Sequence, residues 1–300
     1  MRGVVIINGY PNGEKFYRQG ERIAKALQDC GLQTDVLKNG EVYAVMQEDG
    51  TMCENILKKY DFAVYLDKDK YLSRGLELQG LRLFNSASAV EICDDKMLTY
   101  LALQNCGVRL IKTIPAPLCY TPNVKPSEEF LQTVARELGF PLVAKKSYGS
   151  FGKGVYLVHG MDELRKIAQK WIYEPHFFQE FVRESAGHDV RVIVIGGKAL
   201  GGMERVAQEG EFRSNVELGG TGKKIQLEKE YAQVAETVAK VLGLDYCGVD
   251  LLQTSAGPVV CEVNSNAFFE GFEEALGVDV AMVYAKHIFS VLTALQKSDL

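Results

Sequence analysis

The sequence has few of the residues that bind transition metals or form disulfide bonds. It contains only four histidines, and its seven cysteines are scattered over 300 residues with no C-x-x-C pair. A zinc site needs several such ligands at close spacing, so we expect none. An odd number of scattered thiols is typical of a reducing compartment, which predicts a cytoplasmic protein.

Long apolar stretches and an excess of positive charge are also missing. No run approaches the roughly 18 to 20 apolar residues that a membrane helix needs, and the apolar run at residues 4–7 is too short for a secretory signal. The formal net charge is −5, whereas binding to duplex nucleic acid requires a surplus of lysine and arginine. We therefore expect neither a membrane nor a nucleic acid as a partner.

The remaining composition, 47% hydrophobic and 24% charged, is that of a folded protein. A chain of 300 residues predicts two or three lobes. In the first third, strand patterns at 3–8, 34–37 and 62–66 alternate with helical patterns, which favours a parallel α/β sheet. A capping box at Ser88 predicts a helix as far as Asn105, and strand patterns dominate the later part of the chain.

A glycine-rich segment at residues 147–154 connects two predicted strands. Gly149, Gly152 and Gly154 would let backbone N–H groups approach a phosphate, and the flanking lysines supply positive charge. The segment is not a Walker loop, because a strand rather than a helix follows it. On these residues alone, a phosphate-binding loop and a flexible hairpin turn both remain open.

Two carboxylates face each other in a hairpin predicted near the C-terminus. If Thr254 pairs with Pro258 across the turn, Asp250 lies opposite Glu262. Strand alternation places Asn264 on the same face as Glu262. Like charges directly opposite destabilise a hairpin, and Mg²⁺, which binds carboxylate and amide oxygens, would remove the repulsion. The alternative is an exposed face on which lysine or arginine pairs with the carboxylates.

Between the loop and the hairpin lies a series of polar residues on predicted strands. Asp189 and Arg191 share one strand face because they are two residues apart. Sequence order makes Arg205 and Arg213 the cations best placed to face a metal and a phosphate chain. Taken singly, each fits a surface ion pair worth roughly 0 to 1 kcal/mol. Their ordered occurrence together is what indicates a site.

The ordered set of motifs resembles the ATP-grasp ligases, and within them the RimK-type carboxylate–amine ligases, such as the alpha-L-glutamate ligases. The resemblance runs from residue 85 to about residue 281, or about two thirds of the chain. The matching segments are Asp95-Lys96, Val143-Ala144-Lys145, the glycine-rich loop, Gln179-Glu180-Phe181, Asp189-Val190-Arg191, Phe212-Arg213-Ser214-Asn215, Gly248-Val249-Asp250 and Cys261-Glu262-Val263-Asn264.

The resemblance implies an α/β protein with an ATP-grasp fold, preceded by a Rossmann-like parallel α/β lobe. The expected domains are an N-terminal lobe at 1–84, a central subdomain with the glycine-rich loop at 85–182, and a C-terminal subdomain with the metal site at 183–300. Relatives of this kind commonly form dimers or tetramers, so a homo-oligomer is expected.

The resemblance also implies which residues bind ATP. The loop would close over the phosphates, Glu180 and Phe181 would form the hinge beside the adenine, and Asp189 would contact the ribose. The nucleotide-binding residues implied are Lys96, Lys145, Gly149, Ser150, Gly152, Gly154, Glu180, Phe181, Asp189 and Arg191.

The catalytic and metal-binding residues follow from the same resemblance. Arg213 and Asn215 would hold phosphate and the reacting acyl group, and Arg205 would stabilise charge at the reaction centre. Two Mg²⁺ ions, replaceable by Mn²⁺, would be bound by Asp250, Glu262 and Asn264.

The implied reaction has two steps. A substrate carboxylate attacks the γ-phosphate of ATP to give an acylphosphate and ADP, and an amine then displaces phosphate to form an amide. The substrates would be an amino acid, a peptide or a protein tail. Phosphoryl transfer depends on positioning and charge neutralisation, which metal ions, arginine and lysine provide. The loop at 147–154 is the candidate lid that keeps water from the acylphosphate.

Two other functions stay open. A phosphotransferase would release ADP without forming an amide and without need of an amine. A regulatory nucleotide-binding module would bind ATP and release no ADP. A further open point concerns Phe268 and Phe269, where the family more commonly has small residues and a proline after the asparagine. These rings either make the pocket wall apolar or only pack in the core.

Overall fold

The N-terminal region forms a parallel sheet. A computed structural model of the chain describes residues 1–10, 13–55, 59–214 and 219–298. The first elements are β1 (Arg2–Ile7), α1 (Glu14–Asp29), β2 (Gln33–Lys38), β3 (Ala44–Met46), β4 (Met52–Glu54), β5 (Phe62–Leu66), α2 (Lys70–Leu78) and β6 (Arg82–Phe84). The strand order is β2-β1-β5-β6, and the strands pair in parallel. β1 is buried at every position after its first, as expected of a strand covered on both faces. The predicted parallel sheet is confirmed.

The central region carries an antiparallel sheet covered by two helices. Its elements are α3 (Ala87–Asp94), α4 (Lys96–Ala102), β7 (Thr113–Pro115), α5 (Glu128–Leu138), β8 (Leu142–Lys146), β9 (Val155–Val158), α6 (Met161–Lys170) and β10 (His176–Glu180). The strand order is β7-β10-β8-β9, with antiparallel pairs. Leu131 on α5 and Leu164 on α6 pack with Phe178 of β10 in one apolar cluster. The loop at 147–154 joins β8 to β9.

The helix predicted from Ser88 to Asn105 is wrong in its start and its continuity. The cap is Ser86, whose hydroxyl accepts a hydrogen bond from the N–H of Ala89. The helix also breaks at Asp95, whose carboxylate accepts from Met97 N and begins α4. An aspartate side chain that bonds the backbone ahead of it competes with continuation of the helix, so one predicted helix becomes two.

The C-terminal region forms an antiparallel sheet. After a 3₁₀ turn (Arg183–Ser185) come β11 (His188–Ile195), β12 (Lys198–Val206), β13 (Thr221–Ile225), α7 (Lys229–Leu242), β14 (Tyr246–Leu252), β15 (Val259–Asn264), α8 (Glu270–Leu276) and α9 (Val280–Ser298). The strand order is β13-β12-β11-β14-β15. Gly196 and Gly197, both with positive φ, make a tight turn between β11 and β12.

The hairpin of β14 and β15 brings the two carboxylates together, although not by the turn that was expected. Asp250 pairs with Glu262, as predicted. The turn is one residue shorter than predicted, because Gly257 N donates to Thr254 O and the pairing of Thr254 with Pro258 is wrong. A bulge at Cys261 adds one residue to β15 and restores the register. The two differences cancel at Asp250.

Apolar clusters connect the sheets. One cluster joins Ile23 of α1 and Phe62 of β5 to Ile193 of β11 and Tyr284 of α9. A second packs Cys93 of α3 with strands of the C-terminal sheet. The three predicted domain ranges each contain one of the sheets described, and their boundaries stay a prediction. Within the described residues, no single helix is both long and apolar enough to cross a membrane; α8 and α9 meet the limits of length and composition only as a pair, which is bent by 108°.

Candidate active site

Two adjoining cavities lie at the junction of the loop and the sheets, and they share Lys96, Ser150 and Glu262 as lining. The first, called here the Lys145 cavity, has a volume of about 110 Å³. The second, the Asp67 cavity, has a volume of about 270 Å³ and includes N-terminal residues as well as residues 262–268. A group bound in one cavity would therefore lie next to a group bound in the other.

The structure brings most of the predicted site residues into the Lys145 cavity, although they come from distant parts of the sequence. Arg191 and Asn264 line the Asp67 cavity instead. Gly154 lies just before β9 and lines neither cavity, and Asn215 lies outside the described residues. The predicted residues that line the Lys145 cavity are Lys96, Lys145, Gly149, Ser150, Gly152, Glu180, Phe181, Asp189, Arg205, Arg213, Asp250 and Glu262.

Arg205 is buried between two aspartates on neighbouring strands. Its side chain is 3% exposed. Its Nε atom donates to Asp189 Oδ1 at 2.7 Å, and an Nη2 atom lies 2.9 Å from Asp250 Oδ2. Arg191 donates two further hydrogen bonds to Asp250, at 2.7 and 2.8 Å. Burial alone would raise the pKa of Asp250, but the charges of Arg191 and Arg205 outweigh burial and hold that pKa below its usual value.

The repulsion expected between the facing carboxylates is therefore offset within the protein. Arg191 and Arg205 balance Asp250, and Lys96 Nζ lies 3.2 Å from Glu262 Oε1. Repulsion alone does not require a metal ion here. This pairing is the alternative stated from the sequence, except that Asp250 is buried rather than exposed.

The oxygen donors nevertheless fit a hard divalent cation. Glu262 is 28% exposed and lines both cavities. Asn264 turns its Nδ2 toward Asp250 Oδ2 at 3.4 Å, which leaves the amide oxygen as an acceptor. The described residues contain no cluster of three or more His, Cys, Asp or Glu that could hold a metal ion by itself. Two carboxylates and one amide would thus leave ligand positions for water and phosphate, as is common for Mg²⁺.

Two cations hold the glycine-rich loop against the site. Lys96 Nζ donates to Gly149 O at 2.8 Å, and Arg213 Nη1 donates to Gly152 O at 3.0 Å. Gly149, Gly152 and Phe151 all have positive φ, which glycine adopts without strain but phenylalanine rarely does. The loop therefore has a defined closed conformation. In it, the backbone carbonyls accept hydrogen bonds from Lys96, which was predicted to contact the nucleotide, and from Arg213, which was predicted to hold phosphate.

Asp189 and Arg213 both have further partners. Ser214 Oγ donates to Asp189 Oδ2 at 2.6 Å, so both oxygens of that carboxylate accept hydrogen bonds within the protein. Arg213 donates to Glu211 through Nε and Nη2. These hydrogen bonds lower the pKa of Glu211 to about 2.

Gln179 is a buried residue of the Lys145 cavity that sequence reasoning did not single out as a site residue. It is 1% exposed, and its Nε2 donates to Thr113 Oγ1 at 2.8 Å. Thr113 Oγ1 in turn donates to Ile111 O, which fixes the orientation of the Gln179 amide. Gln179 Oε1 has no hydrogen-bond partner within the described part of the chain. A buried acceptor of this kind ordinarily has a hydrogen-bond donor. The signal in the sequence was its place directly before Glu180.

The two phenylalanines left open by the sequence have different positions. Phe268 lines the Asp67 cavity, and its ring lies 6.1 Å from that of Phe151 and 5.0 Å from that of Phe16. Phe269 is 3% exposed and packs in the core, with Arg22 above its ring. One ring therefore forms a cavity wall and the other is packing.

Sequence reasoning also missed the N-terminal residues Asn8 and Asp67, which line the Asp67 cavity. Asn8 directly follows β1 and Asp67 directly follows β5, and these two strands are parallel neighbours. In open α/β sheets, ligands bind at the carboxyl ends of the strands. Polar residues directly after two buried strands were the signal that could have identified them.

Comparison with known proteins identifies the family. Residues 94–288 match the model of the RimK-like ATP-grasp domain. The chain belongs to this family. It is 38% identical over 231 residues to beta-citrylglutamate synthase B of Danio rerio, covering 76% of this chain and 56% of the relative. It is 38% identical over 210 residues to a probable alpha-L-glutamate ligase of Thioalkalivibrio sulfidiphilus, covering 69% of this chain and 67% of the relative.

The fold agrees with the family. The structure superposes on the D-alanine–D-alanine ligase of Bacillus anthracis, solved with ATP, with a TM-score of 0.73 at 19% identity, and the match covers 100% of both chains. The predicted ATP-grasp fold and RimK-type resemblance are thereby confirmed. The match to the citrylglutamate synthase covers only 56% of the length of that relative.

Proposed function

We propose that the protein is an ATP- and Mg²⁺-dependent carboxylate–amine ligase that forms an amide through an acylphosphate and releases ADP and phosphate. The observation that carries the proposal is the wall of Lys96, Ser150 and Glu262 shared by the two cavities. A phosphate chain in the Lys145 cavity and a carboxylate in the Asp67 cavity would meet at this wall. That juxtaposition is what attack of a carboxylate on a γ-phosphate requires.

ATP fits the chemistry of the Lys145 cavity. Its lining includes apolar side chains such as Val143 and Leu252, together with lysine and arginine. Gln179 Oε1, with no partner among the described residues, would accept from an adenine amino group, beside the hinge at Glu180 and Phe181. A volume of about 110 Å³ is below the roughly 300 Å³ of usual ligand sites, so the loop must move outward to admit a nucleotide.

Mg²⁺ is part of the proposal, as two ions that Mn²⁺ could replace. Glu262 and Asn264 would bind the ions through their side-chain oxygens. Asp250 would become a third ligand if Arg191 or Arg205 released its carboxylate. Bound Mg²⁺ would neutralise charge on the phosphate chain. Arg213 would exchange its hydrogen bond to Gly152 O for one to phosphate, and Lys96 would do the same from Gly149 O. Arg205, held by two aspartates, would keep positive charge fixed beside the reaction centre.

The substrates are proposed by class. One relative is named a beta-citrylglutamate synthase, and another is named a probable alpha-L-glutamate ligase. We infer an amino acid or peptide as the amine and a carboxylate as the acyl donor, and we retain a dimer or tetramer as the expected assembly. The loop would keep water from the acylphosphate until the amine attacks.

The test is a screen of the full chain with Mg-ATP and a panel of acids that includes citrate, N-acetylated amino acids and short peptides. Each acid is combined either with one of the twenty amino acids or with hydroxylamine, which traps acylphosphates as hydroxamates. We expect ADP release that depends on Mg²⁺ and on the acid, together with a new amide mass.

Glu262→Gln is the matched variant, because Glu262 is partly exposed and its loss should leave the fold intact. It should lower Mg²⁺-dependent ADP release by at least about 100-fold, whereas Glu137→Gln, at an exposed ion pair, should not. Near-normal turnover of Glu262→Gln would refute the metal assignment. ADP without amide or hydroxamate would indicate a phosphotransferase, and tight ATP binding without ADP would indicate a binding module.

A further inference from the structure

Asp67 is a buried carboxylate in the wall of the Asp67 cavity. It is 5% exposed. Its oxygens accept from Asn8 Nδ2 at 2.9 Å, from Asn39 Nδ2 at 2.8 Å and from the backbone N–H of Lys68 at 2.7 Å. All of these donors are neutral. They fix the orientation of the carboxylate but do not balance its charge.

The other buried aspartates of the described residues are each paired with arginine, and Asp67 is not. Among the residues described, the buried aspartates are Asp67, Asp189 and Asp250. Asp189 is paired with Arg205, and Asp250 with Arg191 and Arg205. Asp67 makes no ion pair with any described cation. Buried charges are ordinarily paired, because an unpaired one loses its hydration without compensation.

The cations in the wall of the same cavity already have acidic partners. Lys68 Nζ lies 2.7 Å from Asp94 Oδ1, Lys96 pairs with Glu262, and Arg191 pairs with Asp250. The cavity therefore presents one negative charge that its own lysine and arginine residues do not meet. A ligand with a positive charge would complete the balance.

We propose that Asp67, oriented by Asn8, binds the protonated amino group of the amine substrate and accepts the proton that this group loses before its neutral nitrogen attacks the acylphosphate and displaces phosphate. The inference rests on the proposed ligase function and gives the N-terminal lobe a role in it. Asp67 and Asn8 lie at the carboxyl ends of adjacent parallel strands, in the same cavity as Glu262 and Asn264. An amine held there lies in the cavity that adjoins the proposed phosphate site. The rings of Phe16, Phe151 and Phe268 line the same cavity and would contact an apolar part of the substrate.

The experiment compares Asp67→Asn with wild type in two reactions that share the acid found in the screen. In the first, the amine is the amino acid that gives most amide. In the second it is hydroxylamine, which is neutral and needs no ammonium site. We expect the KM for the amino acid to rise about 10- to 100-fold, because the variant loses one charged hydrogen bond to the substrate. Hydroxamate formation should stay within about twofold of wild type, because acylphosphate formation does not use Asp67.

Asn39→Ala is the structural control. Asn39 donates to Asp67 and to Asp69 Oδ2 but does not line the cavity. The alternative is that Asp67 has only a structural role, in which its hydrogen bonds hold the ends of the strands together. In that case Asn39→Ala should raise the KM for the amino acid as much as Asp67→Asn does, and equal rises would overturn the proposal. An unchanged KM in Asp67→Asn would overturn it too. No hydroxamate from wild type with any acid would instead mean that the ligase function itself is wrong.

A measurement on wild type covers the case in which Asp67→Asn does not fold. The competitor is the analogue of the preferred amino acid in which hydrogen replaces the amino group. Its inhibition constant should be at least about tenfold higher than the KM of the amino acid, because the analogue lacks the charge that Asp67 binds. Equal affinity of the analogue would overturn the proposal.

Discussion

At the scale of the residue, the charge balance of the site depends on Arg205. Asp189 and Arg205 are direct partners across β11 and β12, and Arg191 and Asp250 are direct partners across β11 and β14. Opposite charges on facing positions stabilise a sheet. Arg205 contacts both aspartates, so its removal leaves two buried carboxylates near each other with only Arg191 to balance them.

Arg205→Met should therefore unfold more easily. We expect the free energy of unfolding to fall by about 3 to 5 kcal/mol, the cost of breaking a buried ion pair by removing one partner. Urea denaturation followed by circular dichroism measures this. The control is Arg165→Met, which removes an exposed ion pair with Glu128 and should leave the free energy of unfolding nearly unchanged. Equal losses in the two variants would contradict the role given to Arg205.

Protonation of His176 is a second effect at this scale. The ring lies between those of Trp171 and Phe178 on the central sheet. Burial lowers the pKa of His176 below its ordinary value of 6.5. The unfolded state then binds a proton more readily than the folded state, so the stabilisation is present above pH 6.5 and is lost as the pH falls through the folded-state pKa.

His176→Leu should thus flatten the decline of the unfolding free energy between about pH 7 and pH 5. Urea titrations at several pH values measure that slope. His159→Leu, at an exposed histidine, is the control and should keep the wild-type slope. If both variants follow the wild-type curve, burial of His176 is not a source of the pH dependence.

At the scale of the element, the glycine-rich loop is the part whose conformation matters most. Gly149 has a φ of 134°, and a Cβ atom there would lie 3.3 Å from Lys153 O. The same residue supplies the carbonyl that Lys96 binds. A side chain at Gly149 would therefore strain the backbone segment that is proposed to close over the phosphates of ATP.

Gly149→Ala should raise the KM for ATP about tenfold, since residues forced into such a backbone conformation cost of order 1 to 3 kcal/mol. ADP release at varied ATP concentration measures the effect. Gly160→Ala is the control, because its backbone is extended and a Cβ atom there meets nothing within 4 Å. A wild-type KM in Gly149→Ala would show that the backbone conformation at Gly149 is not needed for nucleotide binding.

Some elements were predictable to the residue and others were not. The bounds of α5 can be read from the sequence, because Ser127 before it and Gly139 after it mark its two ends without competition. Ser86 and Ser88 are both possible caps, and in the structure Ser86 accepts the capping hydrogen bond from Ala89 N. Local pattern alone could not choose between them.

At the scale of the whole molecule, an aromatic cluster joins the N-terminal lobe to the loop and to the C-terminal region. Phe151 at the tip of the loop stacks on Phe268, and Phe16 of α1 meets both edge-on. Lys15 Nζ lies 4.1 Å from the ring centre of Phe151 and 4.6 Å from that of Phe268. The closed loop is thus held from both sides of the Asp67 cavity.

Phe16→Ala should loosen this closure and admit water to the acylphosphate. We expect the ratio of ADP released to amide formed to rise by about threefold or more, because hydrolysis competes with the amine once water enters. Parallel assays of ADP and amide give the ratio. Phe289→Ala, which removes a 41% exposed ring on α9, is the control and should leave the ratio of ADP to amide unchanged. A rise in both variants would mean that the cluster has no special role in closure.

Motif order and local periodicity were enough to predict the family and the parallel N-terminal sheet. The pairing of charged side chains in the candidate site could not be predicted in this way, because it depends on how the strands align in the folded chain. The turn at Gly196-Gly197 alone would set Asp189 opposite Glu204, and a bulge at Leu200 shifts the register by one residue and gives it Arg205 instead. The bulge at Cys261 likewise sets Glu262 opposite Asp250. Since side chains alternate between faces along a strand, a shift of one residue changes every partner, and local sequence does not reveal such shifts.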